Sequence, residues 1–212
     1  MIGFLEIYKP MLTSVVLMAG YSRRMGKLKQ HVELNGKTFL EHIIEKLQFF
    51  PEEILNKIFV GQEKDELGQQ KVKECGGVWI SNLHPENGPI SSIRLALDKL
   101  DSSAEAIILW PTDHPMIEYN TLQKLIDNYK LKPEYITLPS DGEHRGHPAI
   151  FPSWCFEYFK NYELNNGAKT LLQMFPEKIN YVLTDDIWIT RNINTPELLH
   201  AAEKLLSVNS YL

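Results

Sequence analysis

Cysteine is scarce in this chain. The 212 residues contain two, Cys75 and Cys155, in neither a C-x-x-C pair nor a zinc-ligand spacing. That excludes a disulfide framework and a cysteine-built metal centre, and it fits a reducing cytoplasm. No apolar run reaches the ~18 residues that a membrane helix needs. Residues 1–10 include Glu6 and lack a basic start and a small-residue cleavage pattern, so they do not read as a signal peptide. Positive charge is not in excess either: 22 Lys and Arg stand against 27 Asp and Glu, a net charge of -5. Broad nucleic-acid binding is therefore not expected. Internal repeats and low-complexity tracts are missing, and so are the two commonest nucleotide motifs. A Walker loop needs four residues between its glycines and then Lys-Ser/Thr. Here five residues separate Gly20 from Gly26, Leu28 follows Lys27, and G-x-G-x-x-G is not found.

What is present suits an ordinary globular protein, with 43% hydrophobic and 23% charged residues. The expected organisation is an N-terminal extension, residues 1–12, and a single domain, residues 13–212. The most informative stretch is residues 13–29, TSVVLMAGYSRRMGKLK. Residues 14–18 form a short apolar run with β-branched members, suited to a strand buried on both faces. It breaks at Ala19-Gly20, and Arg23, Arg24, Lys27 and Lys29 follow. A strand running into a glycine-bearing cationic loop is a way to hold phosphate, with backbone N–H groups around the oxygens and Arg or Lys cancelling charge. A solvated basic turn is the plainer alternative.

Strands and helices then alternate. Residues 38–50 carry helical apolar spacing behind a Thr38–Glu41 capping box, with Pro51 beyond. Strands are expected at 54–60, 78–80, 104–110 and 135–138, and helices at 62–75, 91–100 and 119–129. Beyond these, helices are expected at 166–174 and 196–206, and strands at 181–183 and 187–189. This order predicts an α/β fold of three layers, a mostly parallel sheet with helices on both faces.

Four further patches carry chemistry. Asp113 sits in Pro111-Thr112-Asp113-His114-Pro115, directly after a strand, where α/β sheets open to ligands. Magnesium takes one or two carboxylates plus phosphate oxygens, and Asp113 can supply one; a turn Asp bonding its own backbone is the alternative. Gly88-Pro89 leads to Ser91 and Ser92 at a helix start, able to meet a base edge or ribose, or simply to cap. Arg145-Gly146-His147-Pro148 reads alone as a surface hairpin, and His144-x-x-His147 is a weak metal signal without a third ligand. Last, Asn192-Ile193-Asn194-Thr195-Pro196 precedes a helix, an ordinary helix start.

The residues 17–29 closely resemble the signature loop of the molybdenum cofactor nucleotidyltransferases, L-x-(A/G)-G-x-S-x-R-M-G-x-x-K. Leu17, Ala19, Gly20, Ser22, Arg24, Met25, Gly26 and Lys29 fall in register. The resemblance runs through residues 13–206 in motif order. It implies a Rossmann-like nucleotidyltransferase fold that joins an NTP to molybdopterin and releases pyrophosphate. Arg24, Lys29 and Asp113 are then the catalytic residues, and Leu17, Ala19, Gly20, Ser22, Gly88, Ser91 and Ser92 bind nucleotide. R-G-H-P marks a loop on the pterin side, which implicates Gly146 and His147. Asn192 and Asn194 stand where relatives carry Asp, so Mg2+ is expected on Asp113 and Asn194, held more weakly than by two carboxylates. Ala19, Ser91-Ser92 and R-G-H-P are similar to the cytidylyl branch, which favours CTP over GTP. A recipient molybdenum hydroxylase is an implied transient partner. A sugar or alcohol nucleotidyltransferase, and a molybdenum cofactor carrier without turnover, remain as alternatives.

Overall fold

The computed structural model describes residues 11–209; residues 1–10 of the expected extension lie outside the described residues. The first strand, β1 (Leu12–Leu17), begins one residue before the expected boundary. Leu12 is fully buried and pairs with neighbours on both sides, so residue 12 belongs to the sheet. Short 3-10 turns at Arg23–Met25 and Lys29–His31 come next, then a small hairpin, β2 (Glu33–Leu34) and β3 (Lys37–Thr38). The chain continues through α1 (Phe39–Gln48), β4 (Ile54–Gly61), α2 (Glu66–Glu74), β5 (Val78–Ser81) and α3 (Pro89–Leu97). Beyond α3 lie β6 (Ala106–Pro111), α4 (Tyr119–Leu131), β7 (Ile136–Ser140), β8 (Ala149–Pro152) and α5 (Trp154–Asn161). The last elements are α6 (Ala168–Met174), β9 (Ile179–Leu183) and α7 (Pro196–Asn209).

Seven strands form one sheet in the order β5-β4-β1-β6-β8-β7-β9. β1 pairs in parallel with β4 and β6, β4 with β5, and β7 with β9; β8 alone runs antiparallel to both its neighbours. The reason is the connection: no helix crosses back between β7 and β8, and a direct return reverses the strand. Along β1 the pleat sends consecutive residues to opposite faces. Val16 joins a core with Phe39, Leu47, Trp110 and Leu122 beneath α1 and α4. Val15 joins the other, with Ile93, Phe151, Phe159 and Leu171 beneath α3, α5 and α6. Each such side chain, fully buried, contributes roughly 1.5–3 kcal/mol, and β1 is clamped between the two faces.

The capping box of α1 is formed as the sequence implies. Thr38 Oγ1 accepts from Glu41 N–H at 3.2 Å, and Glu41 Oε2 accepts from Thr38 N–H at 2.8 Å. α2 starts later than expected because Asp65 caps it, accepting from Gly68 N–H at 2.9 Å. α3 starts earlier, with Pro89 in its first turn, a position that needs no N–H donor. α5 has no counterpart among the expected elements; Ser153 is its N-cap but makes no side-chain cap hydrogen bond. Residues 187–189, expected as a strand, form a 3-10 turn instead. Asp186 imposes it by accepting from Trp188 N–H at 2.9 Å and from Glu118 N–H at 2.8 Å. Trp188 and Ile189 are consecutive and both buried, which a strand with one solvent face does not allow. Among the described residues no helix is long and apolar enough to cross a membrane.

Candidate active site

The C-terminal ends of β1 and β6 lie side by side, Leu17 opposite Pro111. The start of the loop after β6 is tied back to the end of β1: Thr112 donates to Leu17 O from its N–H at 3.1 Å and from its hydroxyl at 2.8 Å. The loops beyond the two strands border a cleft of about 360 Å³. Leu17, Ala19, Gly20, Ser22, Arg24 and Lys29 line it from the β1 side, Gly88 and Ser92 from the start of α3, Asp113 from beyond β6 and Asn194 from the segment before α7. The structure thus brings ten predicted residues together around one opening.

The cationic loop has a built shape. Ser22 adopts a left-handed backbone at φ 51°, unusual for a residue with a Cβ, and Gly26 turns the chain again at φ 69°. Ser22 Oγ accepts from Lys29 N–H at 3.1 Å, closing the loop on itself. Arg23 and Arg24 stand exposed on the turn between them. Lys29 points inward, and its Nζ meets Asp113 Oδ2 at 3.1 Å. Asp113 in turn holds the last segment of the site, its carbonyl accepting from Ile193 N–H at 2.8 Å beside Asn194.

Three predicted residues lie elsewhere. Ser91 is taken up by α3: its hydroxyl donates to Gly88 O at 2.8 Å and accepts from Asn82 Nδ2 at 2.9 Å. Ser91 is not the cap either: Gly88 is the N-cap of α3, and the Ser91 hydroxyl bonds back to its carbonyl from within the first turn. Gly146 and His147 line a second cavity, about 260 Å³, with Arg145 and Lys169. A Cβ on Gly146 would stand 2.5 Å from Ile189 O, so only glycine fits there. His147 is half-buried, its ring packed against that of His114 with centroids 4.8 Å apart. Burial, with His114 beside it, pushes the His147 imidazole down to about 4. It is neutral at physiological pH, behind the Asp113 turn rather than in the cleft. His144 is exposed and faces Asp141, so the two histidines of H-x-x-H do not converge.

Sequence reasoning missed the supports of the site. Gln62, just past β4, donates to Ala19 O at 3.3 Å and Gly20 O at 3.2 Å, pinning the loop from behind. Asn82, just past β5, holds Ser91 and Ser92 and accepts from His84 N–H at 2.8 Å. Tyr21 OH donates to Glu86 Oε2 at 3.1 Å, joining the cationic loop to the segment before α3. A polar residue directly after a parallel strand was the available signal in the first two cases.

Among the described residues, no group of three or more His, Cys, Asp or Glu side chains converges as a metal site. The cleft is lined by one carboxylate, Asp113, and by two buried amides, Asn194 and Gln30. Those are hard oxygen donors, few in number, which suits a magnesium-like ion whose remaining ligands are water and phosphate oxygens. With Arg23, Arg24 and Lys29 around a single acid, the cleft is built for a polyphosphate anion.

Comparison with known proteins gives the family. Residues 14–180 match the MobA-like NTP transferase domain. Molybdenum cofactor guanylyltransferase of Haemophilus influenzae (strain ATCC 51907 / DSM 11121 / KW20 / Rd) is 30% identical over 190 residues, covering 87% of this chain and 93% of the relative. Among solved structures, Rv0371c from Mycobacterium tuberculosis H37Rv superposes with a TM-score of 0.77 at 19% identity, over 93% of this chain and 100% of that one. Its complex with manganese superposes at 0.72, at 18% identity and the same coverage. Molybdopterin-guanine dinucleotide biosynthesis protein A from Archaeoglobus fulgidus gives 0.68 at 23% identity, over 92% and 99% of the two chains. The chain belongs to the MobA-like NTP transferase domain family, and is a nucleotidyltransferase of that kind.

Proposed function

We propose that the cleft joins an NTP to molybdopterin. A terminal phosphate oxygen of molybdopterin attacks the α-phosphorus of the nucleotide; the new Pα–O bond forms as the bond to the β-phosphate oxygen breaks, and pyrophosphate leaves with its electron pair. The observation that carries the reading is the Lys29–Asp113 pair, 3.1 Å apart, inside a cleft ringed by the cationic loop. The attacking group is already an anion, so no side chain needs to act as nucleophile or strong base. Positioning and charge are what the protein must supply. Arg24 offers a planar fork and Lys29 a point charge to the polyphosphate. Asp113 and Asn194 would hold Mg2+ or a similar ion, which supplies charge neutralisation on phosphate oxygens when bound. Gly146 and His147, in the cavity behind the Asp113 turn, are assigned to the pterin side.

For the nucleotide we favour CTP. Ala19 lines the cleft and is buried, and on this reading its methyl group leaves less room for the base than glycine would. One methyl discriminates by only ~1–3 kcal/mol. GTP is the second reading, favoured by the guanylyltransferase name of the Haemophilus relative. A recipient molybdenum hydroxylase would take a cytosine dinucleotide product. The test is pyrophosphate release by the purified protein with molybdopterin and Mg2+, comparing CTP, GTP, ATP and UTP. Release with CTP foremost supports the assignment; a GTP preference overturns the base and keeps the reaction; no release with any nucleotide overturns the reaction.

A further inference from the structure

Asp65 is buried, 4% exposed, and three donors converge on its carboxylate. One explains itself: Gly68 N–H, at 2.9 Å from Oδ1, is the cap of α2. The other two do not belong to α2. Gln30 Nε2 lies 2.5 Å from Oδ2, and His31 Nε2 lies 2.6 Å from Oδ1. Gln30 and His31 are the two residues after Lys29 in the same 3-10 turn. The turn is thereby held from two directions, by Ser22 Oγ on the Lys29 N–H and by Asp65 on the next two side chains.

We infer that Asp65 is the positioning residue of the Lys29 ammonium. Lysine carries its charge on a flexible four-carbon stem, so the place of Nζ depends on how firmly the backbone under it is fixed. Gln30 makes the dependence strict. It is fully buried under the cleft it lines, and its Oε1 has no hydrogen-bond partner. Asp65 is the hydrogen-bond partner of its side chain among the described residues. Without that carboxylate both ends of a buried amide would be unpaired, a state that proteins relieve by moving the group. Moving Gln30 moves the turn, and with it Lys29 away from Asp113. An acid with no access to substrate thus sets the geometry of the cation that meets it.

Gln30→Met separates this from a plain capping role. It removes the contact at nearly constant volume and leaves the α2 cap and the His31 contact on Asp65 Oδ1. The double variant Asp65→Asn with Gln30→Glu keeps the contact with donor and acceptor exchanged and the net charge unchanged. The first readout is acetylation of Lys29 by acetic anhydride, located by mass spectrometry, which needs no turnover. Labelling should rise in Gln30→Met and stay within about twofold of wild type in the double variant. The second readout is kcat and KM in the pyrophosphate assay. Here kcat should fall about tenfold or more in the single variant, with a smaller change in KM, and stay near wild type in the double. Should Gln30→Met fail to fold, Gln30→Leu removes the same contact and should also raise Lys29 labelling. Unchanged labelling in the folded single variants, or a double variant no better than the worse single, overturns the inference. The kinetic arm rests on the proposed reaction; the labelling arm does not, so an inactive wild type would count against the reaction alone.

Discussion

Lys29 and Asp113 are 84 residues apart in the chain and 3.1 Å apart in the fold. Their side chains keep 21% and 20% of their exposure, so the pair is neither buried nor free. A partly solvated ion pair of this kind contributes about 0–1 kcal/mol to stability. Holding the fold together is therefore not its main effect. The pair marks the point where the cationic loop and the loop after β6 meet at the cleft. Replacing Asp113 by Ala is expected to lower kcat about a hundredfold or more while shifting Tm only slightly. Lys29→Arg should not restore what Lys29→Met loses, because a planar fork does not occupy the place of a point charge. Steady-state kinetics and a thermal melt on the same samples check both statements. A large fall in Tm on losing Asp113 would assign the pair to structure instead.

Asn194, an uncharged amide, lines the cleft with Asp113. Asn194→Asp adds a carboxylate to the cleft, and divalent affinity rises with ligand charge. Mn2+ titration should show tighter binding by the variant, and its stability without metal should fall because two like charges then share the site. Unchanged Mn2+ affinity would remove Asn194 from the metal set.

Ala19 and Gly20 differ in what they do to the cleft. A Cβ on Gly20 would meet no atom within 4 Å, whereas Ala19, also lining the cleft, is buried. Ala19→Gly should shift the ratio of kcat/KM for GTP over CTP upward, by about tenfold. A ratio that does not move would place base selection elsewhere.

The capping box predicts a pH signature far from the cleft. The Lys71 ammonium first, and then the Thr38 N–H and hydroxyl, hold Glu41 down at about 2, below its ordinary 4.5. A carboxylate lowered on folding stabilises fully above its unfolded pKa and loses that contribution as pH falls through the folded one. The stability advantage of wild type over Glu41→Gln should therefore be constant above pH ~5 and vanish between 4.5 and about 2. Glu41 is about a third exposed, which keeps the effect small. Urea unfolding of both proteins across that range is the check.

The parts of this protein legible in the sequence are those written in contiguous residues. The strand before Ala19-Gly20, the cationic loop and the Asp after β6 each carry a local signal, and they meet because parallel strands bring their C-terminal ends together. Gly146 and His147 have an equally local motif, yet their place is decided by Ile189, which packs against the glycine from a turn the sequence suggested was a strand. Ser91 and Ser92 look alike as text; one faces the cleft and the other its own helix. Asp65 gave no signal at all, because its partners Gln30 and His31 stand 35 and 34 residues earlier. Alternation and capping determine elements, whereas the direction of a buried polar side chain is determined by packing that no local pattern records.

Whether Asp113 takes part in nucleotidyl transfer, and not only in holding cofactor, is decided most directly by the fate of the α-phosphate. Label is followed from the α-phosphate of CTP, and in parallel of GTP, into molybdopterin, with wild type and Asp113→Ala that bind molybdopterin equally. Wild type should yield a labelled dinucleotide, and the variant should lose that product by about a hundredfold. No transfer by wild type from either nucleotide, with molybdopterin bound, would contradict the assignment and make the protein a carrier.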